Sequence, residues 1–311
     1  MFKVLISDAM SNVAQKVFEK NKISFDVKTG LSEEEIIKII PDYDAMVVRS
    51  ATKVTKNIIS AAKKLKVIGR AGAGVDNIDV VEAKANDMLV MNTPGGNANA
   101  TAELTFALIL SLLRKIPFAN ETTHKGMWEK KNIKGTELSK KTLGIIGFGN
   151  VGERLSNLVK GFNVNVLVNS KSLESRKKDF PHVKNVSLDE LITLSDIISL
   201  HCKASGDGKP ILNKSHFKKM KPSSYVINAA RGNIVDEKDL NEALNENLIA
   251  GAGLDVYSKE PAKENILFNN PKVILTPHIA ASTTEASIVV AEMAANQISN
   301  FLLNGIKLNT V

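Results

Sequence analysis

The sequence predicts an α/β protein of two domains, each organised around a doubly wound parallel sheet. Apolar segments of strand length alternate with amphipathic segments of helix length, and this alternation runs twice along the chain. Between the two runs, proline and glycine make 93–100 (TPGGNANA) a predicted linker. A chain of 311 residues is long enough to bury two cores of this kind.

The first run predicts a strand at the N-terminus and four more strands before the linker. Its predicted strands are 3–8, 25–29, 45–50, 66–72 and 88–92, and its predicted helices are 12–21, 32–42, 55–65 and 80–87. Ser32, followed three residues later by Glu35, marks the start of the second helix. Because Asp8 interrupts the apolar N-terminal segment, we interpret that segment as a strand and not as a targeting signal.

The second run follows a long apolar helix predicted at 101–115 and a polar region at 117–140. Its predicted strands are 142–147, 164–169, 196–202, 224–230, 250–257 and 272–278, and its predicted helices are 151–160, 187–195, 214–220 and 237–247. A final helix at 284–303 follows the last strand of this run. We expect it to cross back and pack on the first domain.

Composition argues against several classes of protein. The net charge is +8, but the lysines are spread over amphipathic helices and aromatic residues make up only 5%, so no nucleic-acid partner is expected. No apolar run approaches the roughly 18 residues that span a membrane, and no membrane partner is expected. The one cysteine, Cys202, allows neither a disulfide framework nor a cysteine-based zinc site; we expect no metal and a reducing, cytoplasmic setting.

A glycine motif lies at the first strand and helix of the second run. The segment 142–155 (TLGIIGFGNVGERL) contains Gly147-x-Gly149-x-x-Gly152. In this context the first glycine permits a tight turn, the second lets the backbone approach a pyrophosphate, and the third allows close packing of helix on strand. The N–H groups at the start of the helix then face the anion. The motif therefore predicts a dinucleotide site.

The position expected to meet the adenosine ribose departs from the usual pattern. An NAD site usually has an acidic residue at the end of the second strand, roughly 20 residues after the glycines. This chain has Asn169 there, which can bind a hydroxyl but lacks the charge that repels a 2′-phosphate. Ser170 and Lys171 beside it can accept such a phosphate. NAD is the expected cofactor, and use of NADP stays open.

Several later motifs carry a resemblance to a known family. They are 69–79 (GRAGAGVDNID), 101–117, 228–240 (NAARGNIVDEKDL), 253–261 (GLDVYSKEP) and 275–283 (LTPHIAAST). Together they resemble the D-isomer-specific 2-hydroxyacid dehydrogenase family over essentially the whole chain, and 47–55, 69–79 and 135–152 look most similar to its short-form D-3-phosphoglycerate dehydrogenases. The resemblance implies a Rossmann dinucleotide-binding domain, 97–282, inserted into a flavodoxin-like substrate-binding domain formed by 1–96 and 283–311.

The family's catalytic residues map onto Arg231, Glu260 and His278 of this chain. Hydride transfer to a 2-keto acid builds negative charge on the carbonyl oxygen, which a guanidinium can polarise while pairing with the neighbouring carboxylate. A histidine can donate the proton near neutral pH, and a carboxylate on its other ring nitrogen fixes the tautomer. Taken without the resemblance, Arg231 fits better as a surface salt-bridge partner and Glu260 as an ordinary loop acid. His278 is as readily functional as structural, because ligands bind outside the carboxyl ends of such strands.

The resemblance also implies binding residues. For the cofactor it implies the N–H groups of Asn150 and Val151 at the pyrophosphate, Cys202 and Ala229 beside the adenosine and nicotinamide, and Asp255 at the carboxamide. For the substrate it implies the backbone of Gly72, Ala73 and Gly74 at the carboxylate, Arg49 and Ser50 at the phosphate end, Asn97 at the hinge and Lys130 from the partner subunit. Where the family has His-x-Pro, this chain has His201-Cys202-Lys203, and Lys203 is either a solvated loop lysine or a further group near a 2′-phosphate.

The leading hypothesis is therefore oxidation of D-3-phosphoglycerate, or reduction of its keto partner, in serine biosynthesis. One alternative is a glyoxylate or hydroxypyruvate reductase of the same family. Another, of a different class, is a cofactor-sensing binding protein similar to the corepressors that share this fold. The family's dehydrogenases pair through their nucleotide domains, so we expect a homodimer. The chain ends at Val311, where longer members carry regulatory domains, so feedback by serine through such a domain is not expected.

Overall fold

The chain folds into two compact units. The computed structural model describes residues 2–204 and 206–311. Unit 1 contains the chain up to Ala98 together with Ala281–Val311, and unit 2 is Asn99–Ala280. The sequence places these boundaries at 96/97 and 282/283, two residues from the observed divisions. Among the described residues, every helix is too short or too polar to cross a lipid bilayer.

Unit 1 is built around a sheet of five parallel strands in the order β2-β1-β3-β4-β5. The strands are β1 (Lys3–Ile6), β2 (Ser24–Val27), β3 (Ala45–Val48), β4 (Val67–Arg70) and β5 (Leu89–Met91). This is the strand order of flavodoxin-like folds, as the sequence predicts. Apolar cores lie on both faces of the sheet, which explains why the central strands are apolar at successive positions.

The helices of unit 1 cover the two faces of its sheet. They are α1 (Val13–Lys20), α2 (Glu33–Ile39), α3 (Lys56–Ala61), α4 (Val80–Ala85) and, from the end of the chain, α11 (Thr284–Asn304). Ser32 and Glu35 form the predicted capping box at α2. The final helix does return to the first sheet, because Ile298 of α11 packs where a side chain at Gly69 of β4 would lie.

Unit 2 contains seven parallel strands in the order β12-β11-β10-β9-β6-β7-β8. The strands are β6 (Thr142–Ile146), β7 (Asn165–Asn169), β8 (Val183–Asn185), β9 (Ile197–Leu200), β10 (Tyr225–Asn228), β11 (Gly251–Leu254) and β12 (Val273–Leu275). The helices are α5 (Ala98–Arg114), α6 (Ile116–His124), α7 (Asn150–Leu158), α8 (Leu188–Leu194), α9 (Lys214–Phe217) and α10 (Glu237–Asn245). The order reverses beside β6, so the glycine motif lies at the switch point where Rossmann sheets bind dinucleotides.

Several elements of unit 2 are absent from the sequence prediction, and three of them are longer or contribute to the sheet. Helix α6 falls in the region treated only as polar; it starts with Pro117 in its first turn, after Lys115 breaks α5 with a φ of 55°. A 3₁₀ helix, Lys171–Asp179, and the three-residue edge strand β8 complete the set. Their segments are too short or too polar to show a periodic apolar pattern.

Candidate active site

The glycine turn joins β6 to α7 with the geometry its three glycines suggest. Gly147 has a φ of +88°, and a Cβ there would lie within 2.7–2.8 Å of the backbone of His201 and Cys202. A Cβ at Gly152 would lie 2.7 Å from the carbonyl oxygen of Gly147, so the helix start packs tightly on the turn. At Gly149, by contrast, a Cβ would meet no described atom within 4 Å. The open side of the turn is therefore at the second glycine.

The start of α7 is suited to an anion. Gly149 is the N-cap residue, and no described side chain caps the helix there. The N–H groups of Asn150 and Val151, in the first turn, therefore point away from the helix toward the open side of Gly149. These are the groups that a pyrophosphate binds in Rossmann folds, so the turn and helix start fit a dinucleotide.

The segment after β7, which the sequence predicts to lie near the adenosine ribose, is polar and hydrogen-bonded to the glycine turn. Asn169 ends β7, beside Ile146, and its Nδ2 donates to the carbonyl oxygen of Val186 at 2.9 Å. Ser172 donates from Oγ to the carbonyl oxygen of Phe148, at 3.0 Å, which ties the segment after β7 to the glycine turn.

Two acidic side chains close to this segment have basic or amide partners. Arg176 pairs with Glu153 of α7 and also donates to the Phe148 carbonyl oxygen at 3.0 Å. Glu174 accepts a hydrogen bond from the amide of Asn185. Glu153 and Glu174 are thus both hydrogen-bonded, while Lys171 lies exposed at the start of the segment.

The loop after β9 lines the other side of the turn. Burial lowers the pKa of His201 to about 4, so its ring is neutral, and its Nε2 lies 2.8 Å from Ser199 Oγ. Burial also raises the pKa of the Cys202 thiol to about 11, which keeps it a thiol at neutral pH. Lys203 is exposed, and Ala229, at the end of β10, is nearly buried. Cys202 and Ala229 thus present small apolar groups at the carboxyl edge of the sheet.

Arg231 follows β10 on a loop whose backbone is hydrogen-bonded to a buried side chain. The buried Asn228 donates from Nδ2 to the carbonyl oxygen of Arg231, at 2.8 Å, and accepts from the N–H of Ala230 at 3.1 Å. Gly232 packs against the next strand's loop, where a Cβ would come within 1.9 Å of the Tyr257 backbone. Only glycine permits this approach, which joins the Arg231 loop to the segment after β11.

His278 and Glu260 form a direct pair. The Nδ1 atom of His278 lies 2.6 Å from Oε2 of Glu260, and the other carboxylate oxygen accepts from the N–H of Tyr257 at 3.0 Å. With a carboxylate on Nδ1, the ring carries its proton there and leaves Nε2 for a reacting group. Arg231, Glu260 and His278 follow the adjacent strands β10, β11 and β12, so all three lie at one edge of the sheet.

The loop that carries His278 is held by buried groups on both sides. Asp255 is fully buried and accepts from the N–H groups of Ile279 and Ala280, at 2.8 Å each, and from Thr276 Oγ1 at 2.6 Å. Tyr257 donates from Oη to the Thr276 carbonyl oxygen at 2.9 Å, and burial raises its pKa to about 12. The predicted contact of Asp255 with a carboxamide stays a prediction. In the structure its carboxylate holds the backbone around His278.

Five of the predicted substrate residues, Arg49, Ser50 and Gly72–Gly74, lie in unit 1, after the carboxyl ends of two of its strands. Arg49 and Ser50 follow β3; the N–H of Arg49 donates to the buried Asp8 at 2.6 Å. The range Gly72–Gly74 follows β4, and the guanidinium of Arg70 occupies the space that a Cβ at Gly72 would fill. Sequence reasoning missed Arg70, although its place at the end of a strand signalled it.

The two remaining predicted residues lie away from these loops. Asn97 directly precedes α5, next to the division between the units. Lys130 is exposed in unit 2, in the segment after α6. Sequence reasoning also overlooked Asn228 and Tyr257, whose side chains form hydrogen bonds to the backbone of the Arg231 and His278 loops.

Comparisons with known proteins identify the family. Residues 106–280 match the family model described as D-isomer specific 2-hydroxyacid dehydrogenase, NAD binding domain. The chain belongs to the D-isomer-specific 2-hydroxyacid dehydrogenase family. The dinucleotide predicted from the glycine turn is thus NAD, in agreement with the matched NAD-binding domain of this family.

Similar proteins share most of the chain. The chain is 44% identical over 299 residues to the D-3-phosphoglycerate dehydrogenase of Archaeoglobus fulgidus. These residues cover 96% of this chain and 57% of the relative. The chain thus spans little more than half the length of the curated relatives it matches. A solved NAD⁺-bound 3-phosphoglycerate dehydrogenase of Entamoeba histolytica is 29% identical with a TM-score of 0.85, covering 100% of this chain and 98% of its own. A glyoxylate reductase from Paecilomyes thermophila is 28% identical with a TM-score of 0.89 and the same coverage, 100% and 98%.

Proposed function

We propose that the chain is an oxidoreductase that transfers a hydride between NAD and a D-2-hydroxy acid. The observation that carries the proposal is the pair of His278 and Glu260, 2.6 Å apart, beside the loop of Arg231 on the sheet that holds the glycine turn. We further propose D-3-phosphoglycerate as the hydroxy acid, oxidised to 3-phosphohydroxypyruvate in serine biosynthesis. The Archaeoglobus relative, named for this activity, supports that choice.

The roles of the three residues follow from their chemistry. When bound, the nicotinamide supplies the hydride in reduction and accepts it in oxidation. Arg231 polarises the keto oxygen and pairs with the neighbouring carboxylate through its planar donors. His278 donates a proton from Nε2 to that oxygen in reduction and removes it from the hydroxyl in oxidation. Glu260 holds the proton on Nδ1, so that the ring presents the correct nitrogen, and stabilises the imidazolium.

For the cofactor, the proposed contacts lie around the glycine turn. The N–H groups of Asn150 and Val151 bind the pyrophosphate, and Cys202 and Ala229 flank the bound molecule. We also propose that the site accepts NADP. Asn169 brings no negative charge to the ribose, and Arg176 pairs with Glu153 of α7. A 2′-phosphate would thus meet Asn169, Ser170 and Lys171 without an acid at the end of β7.

For the substrate, we propose that the cationic edge of unit 1 binds an anion. Arg49 and Ser50 follow β3, Arg70 is the last residue of the neighbouring strand β4, and the backbone N–H groups of Ala73 and Gly74 follow it. The N–H of Gly72 already donates to the carbonyl oxygen of Arg70, at 2.9 Å. Two guanidinium groups near one strand edge favour a substrate with a phosphate and a carboxylate over glyoxylate, which has only the carboxylate.

The proposal is tested by one assay with four arms. Nicotinamide absorbance is followed with 3-phosphohydroxypyruvate or glyoxylate, each with NADH or NADPH. We expect higher kcat/KM for the phosphorylated acid. A preference for glyoxylate would support the alternative, a glyoxylate or hydroxypyruvate reductase, which the glyoxylate reductase of similar structure favours. Absence of turnover with every keto acid, while NADH still binds, would refute an enzyme and leave a cofactor-sensing binding protein.

We propose a second copy of the chain as partner, through the surface formed by α6 and the segment after it. Ile116, Phe118, Met127 and Trp128 are exposed there, Trp128 by 83%. Large exposed apolar side chains in one segment favour a protein interface. Trp128→Glu should convert a dimer to a monomer in light scattering after gel filtration. Val81→Glu is the matched control, because Val81 is 81% exposed but belongs to unit 1; an unchanged dimer with Trp128→Glu would refute the interface.

We also place the protein in the cytoplasm. The chain has a single cysteine, Cys202, which is free and partly buried. A single free thiol fits a reducing compartment.

A further inference from the structure

We propose that Glu237 is a positioning residue that holds the segment 258–265, and with it Glu260, in place for the hydrogen bond to His278. This inference rests on the proposed catalytic roles of Glu260 and His278. Glu237 touches neither of them, and acts through the backbone between.

The carboxylate of Glu237 accepts three hydrogen bonds from the two ends of this segment. Its Oε1 accepts from the N–H of Ser258 at 2.6 Å, and its Oε2 accepts from Ser258 Oγ at 2.8 Å. The same Oε2 accepts from Nδ2 of Asn265 at 2.9 Å. A single side chain thus joins the residue two positions before Glu260 to the residue five positions after it.

The anchor is itself fixed. Glu237 is the first residue of α10, where the helix dipole favours a negative charge. Its neighbour Asp236 caps the helix, accepting from the N–H of Asp239 at 3.0 Å. Leu240 and Leu244, one and two turns on, are fully buried in the core of unit 2. The carboxylate is therefore a rigid point from which a loop without regular structure can be held.

The restraint reaches the catalytic groups in one step. Ser258 directly follows Tyr257, whose N–H donates to Glu260 Oε1 at 3.0 Å, while Oε2 of Glu260 meets His278. Gly232, next to Arg231, packs on the same Tyr257–Ser258 peptide. A shift of this peptide would move Glu260, which accepts the hydrogen bond from His278. It would also disturb the packing of the Arg231 loop through Gly232.

Glu237→Gln is the sharpest variant, because all three partners of the carboxylate are donors. A glutamine keeps the size but offers one acceptor oxygen and an NH₂ group that faces donors. We expect kcat to fall about tenfold to hundredfold, as misplacement of catalytic groups does. KM and the Kd for NADH should stay within about twofold of wild type. Ser258→Ala, which removes one of the three donors, should lower kcat in the same direction but less.

Two further measurements separate positioning from a general loss of structure. In combination with Glu260→Gln, Glu237→Gln should cause little additional loss of kcat, because both substitutions break the same arrangement. Glu246→Gln, at the exposed far end of α10, is the matched control and should leave kcat unchanged. Hydrogen exchange by mass spectrometry should show faster exchange in 257–265 for Glu237→Gln and not for Glu246→Gln.

The outcomes are distinguishable from those of the proposed function. A wild-type protein inactive toward every keto acid refutes the function, while faster exchange in 257–265 would still support the anchor. Unchanged exchange in Glu237→Gln overturns the anchor whatever the activity. Losses of kcat that multiply in the double variant, or an unchanged kcat in an active enzyme, overturn the positioning of Glu260.

Discussion

Two alanine substitutions in one glycine turn should separate folding from cofactor binding. At Gly147, with φ +88°, a Cβ would lie 2.7 Å from the His201 carbonyl oxygen and 2.8 Å from the Cys202 nitrogen. At Gly149, φ is −97° and a Cβ would meet no described atom within 4 Å. Gly147→Ala must therefore displace backbone, whereas Gly149→Ala fits the folded chain.

The expected magnitudes differ accordingly. A left-handed conformation costs alanine about 1–2 kcal/mol, and overpacking in a close-packed site adds about 1–3 kcal/mol. Gly147→Ala should therefore lower the free energy of unfolding by about 2–5 kcal/mol and Tm by on the order of 5–15 °C. Gly149→Ala should leave Tm within about 2 °C of wild type, because its methyl group meets no described atom within 4 Å. Its smaller set of unfolded conformations changes stability only slightly. Its methyl group should weaken NADH binding at least about tenfold, or 1.4 kcal/mol, by standing where the pyrophosphate approaches.

Thermal unfolding and titration of NADH fluorescence measure the two effects. Gly161→Ala is the control for both, because a Cβ at Gly161 also meets nothing within 4 Å and the residue lies beyond α7. An equal loss of Tm for Gly147→Ala and Gly149→Ala would refute the close approach as the reason for the first glycine. An unchanged affinity of Gly149→Ala for NADH would refute binding of the pyrophosphate at the second glycine.

Three further predictions concern single side chains. His278→Asn should lower turnover at least about a hundredfold with little change in NADH affinity, because it removes the proton donor but tolerates the φ of 54°; steady-state rates and titration check this, and normal turnover would exclude the role. Asn169→Asp should repel a 2′-phosphate and so lower the ratio of kcat/KM for NADPH to that for NADH at least about tenfold. Asn165→Asp, at the start of the same strand, should leave this ratio unchanged. The same ratio in Asn169→Asp and wild type would place Asn169 away from the ribose. Burial lowers the pKa of His201 to about 4, so the unfolded chain binds more protons than the folded chain between pH 6.5 and 4. The free energy of unfolding should therefore fall by up to about 3 kcal/mol as pH drops through that range. Denaturant titrations of His201→Gln at several pH values should lack this part of the pH dependence.

Much of the fold follows from local pattern. Strands buried on both faces are apolar at successive positions, and this alone predicts two parallel sheets and most of their elements. The pattern fails for α6 and β8, because the nine residues of α6 bury only Thr122 and so form no periodic apolar face, and β8 has three residues at the sheet edge. The crossing of α11 back to unit 1 could be anticipated because the helix follows the last strand of the second sheet.

The candidate site divides in the same way. The sequence by itself determined the glycine turn, the placing of Arg231, Glu260 and His278 after strands, and the missing acid at Asn169, because each depends on residues a short distance apart. Only the tertiary structure decided which groups hold them, such as Asn228 beneath the Arg231 loop, and which acids are already engaged. These contacts join residues that are far apart in the chain, as Glu237 and Ser258 are, and they exist only once neighbouring strands bring their loops to one edge of the sheet.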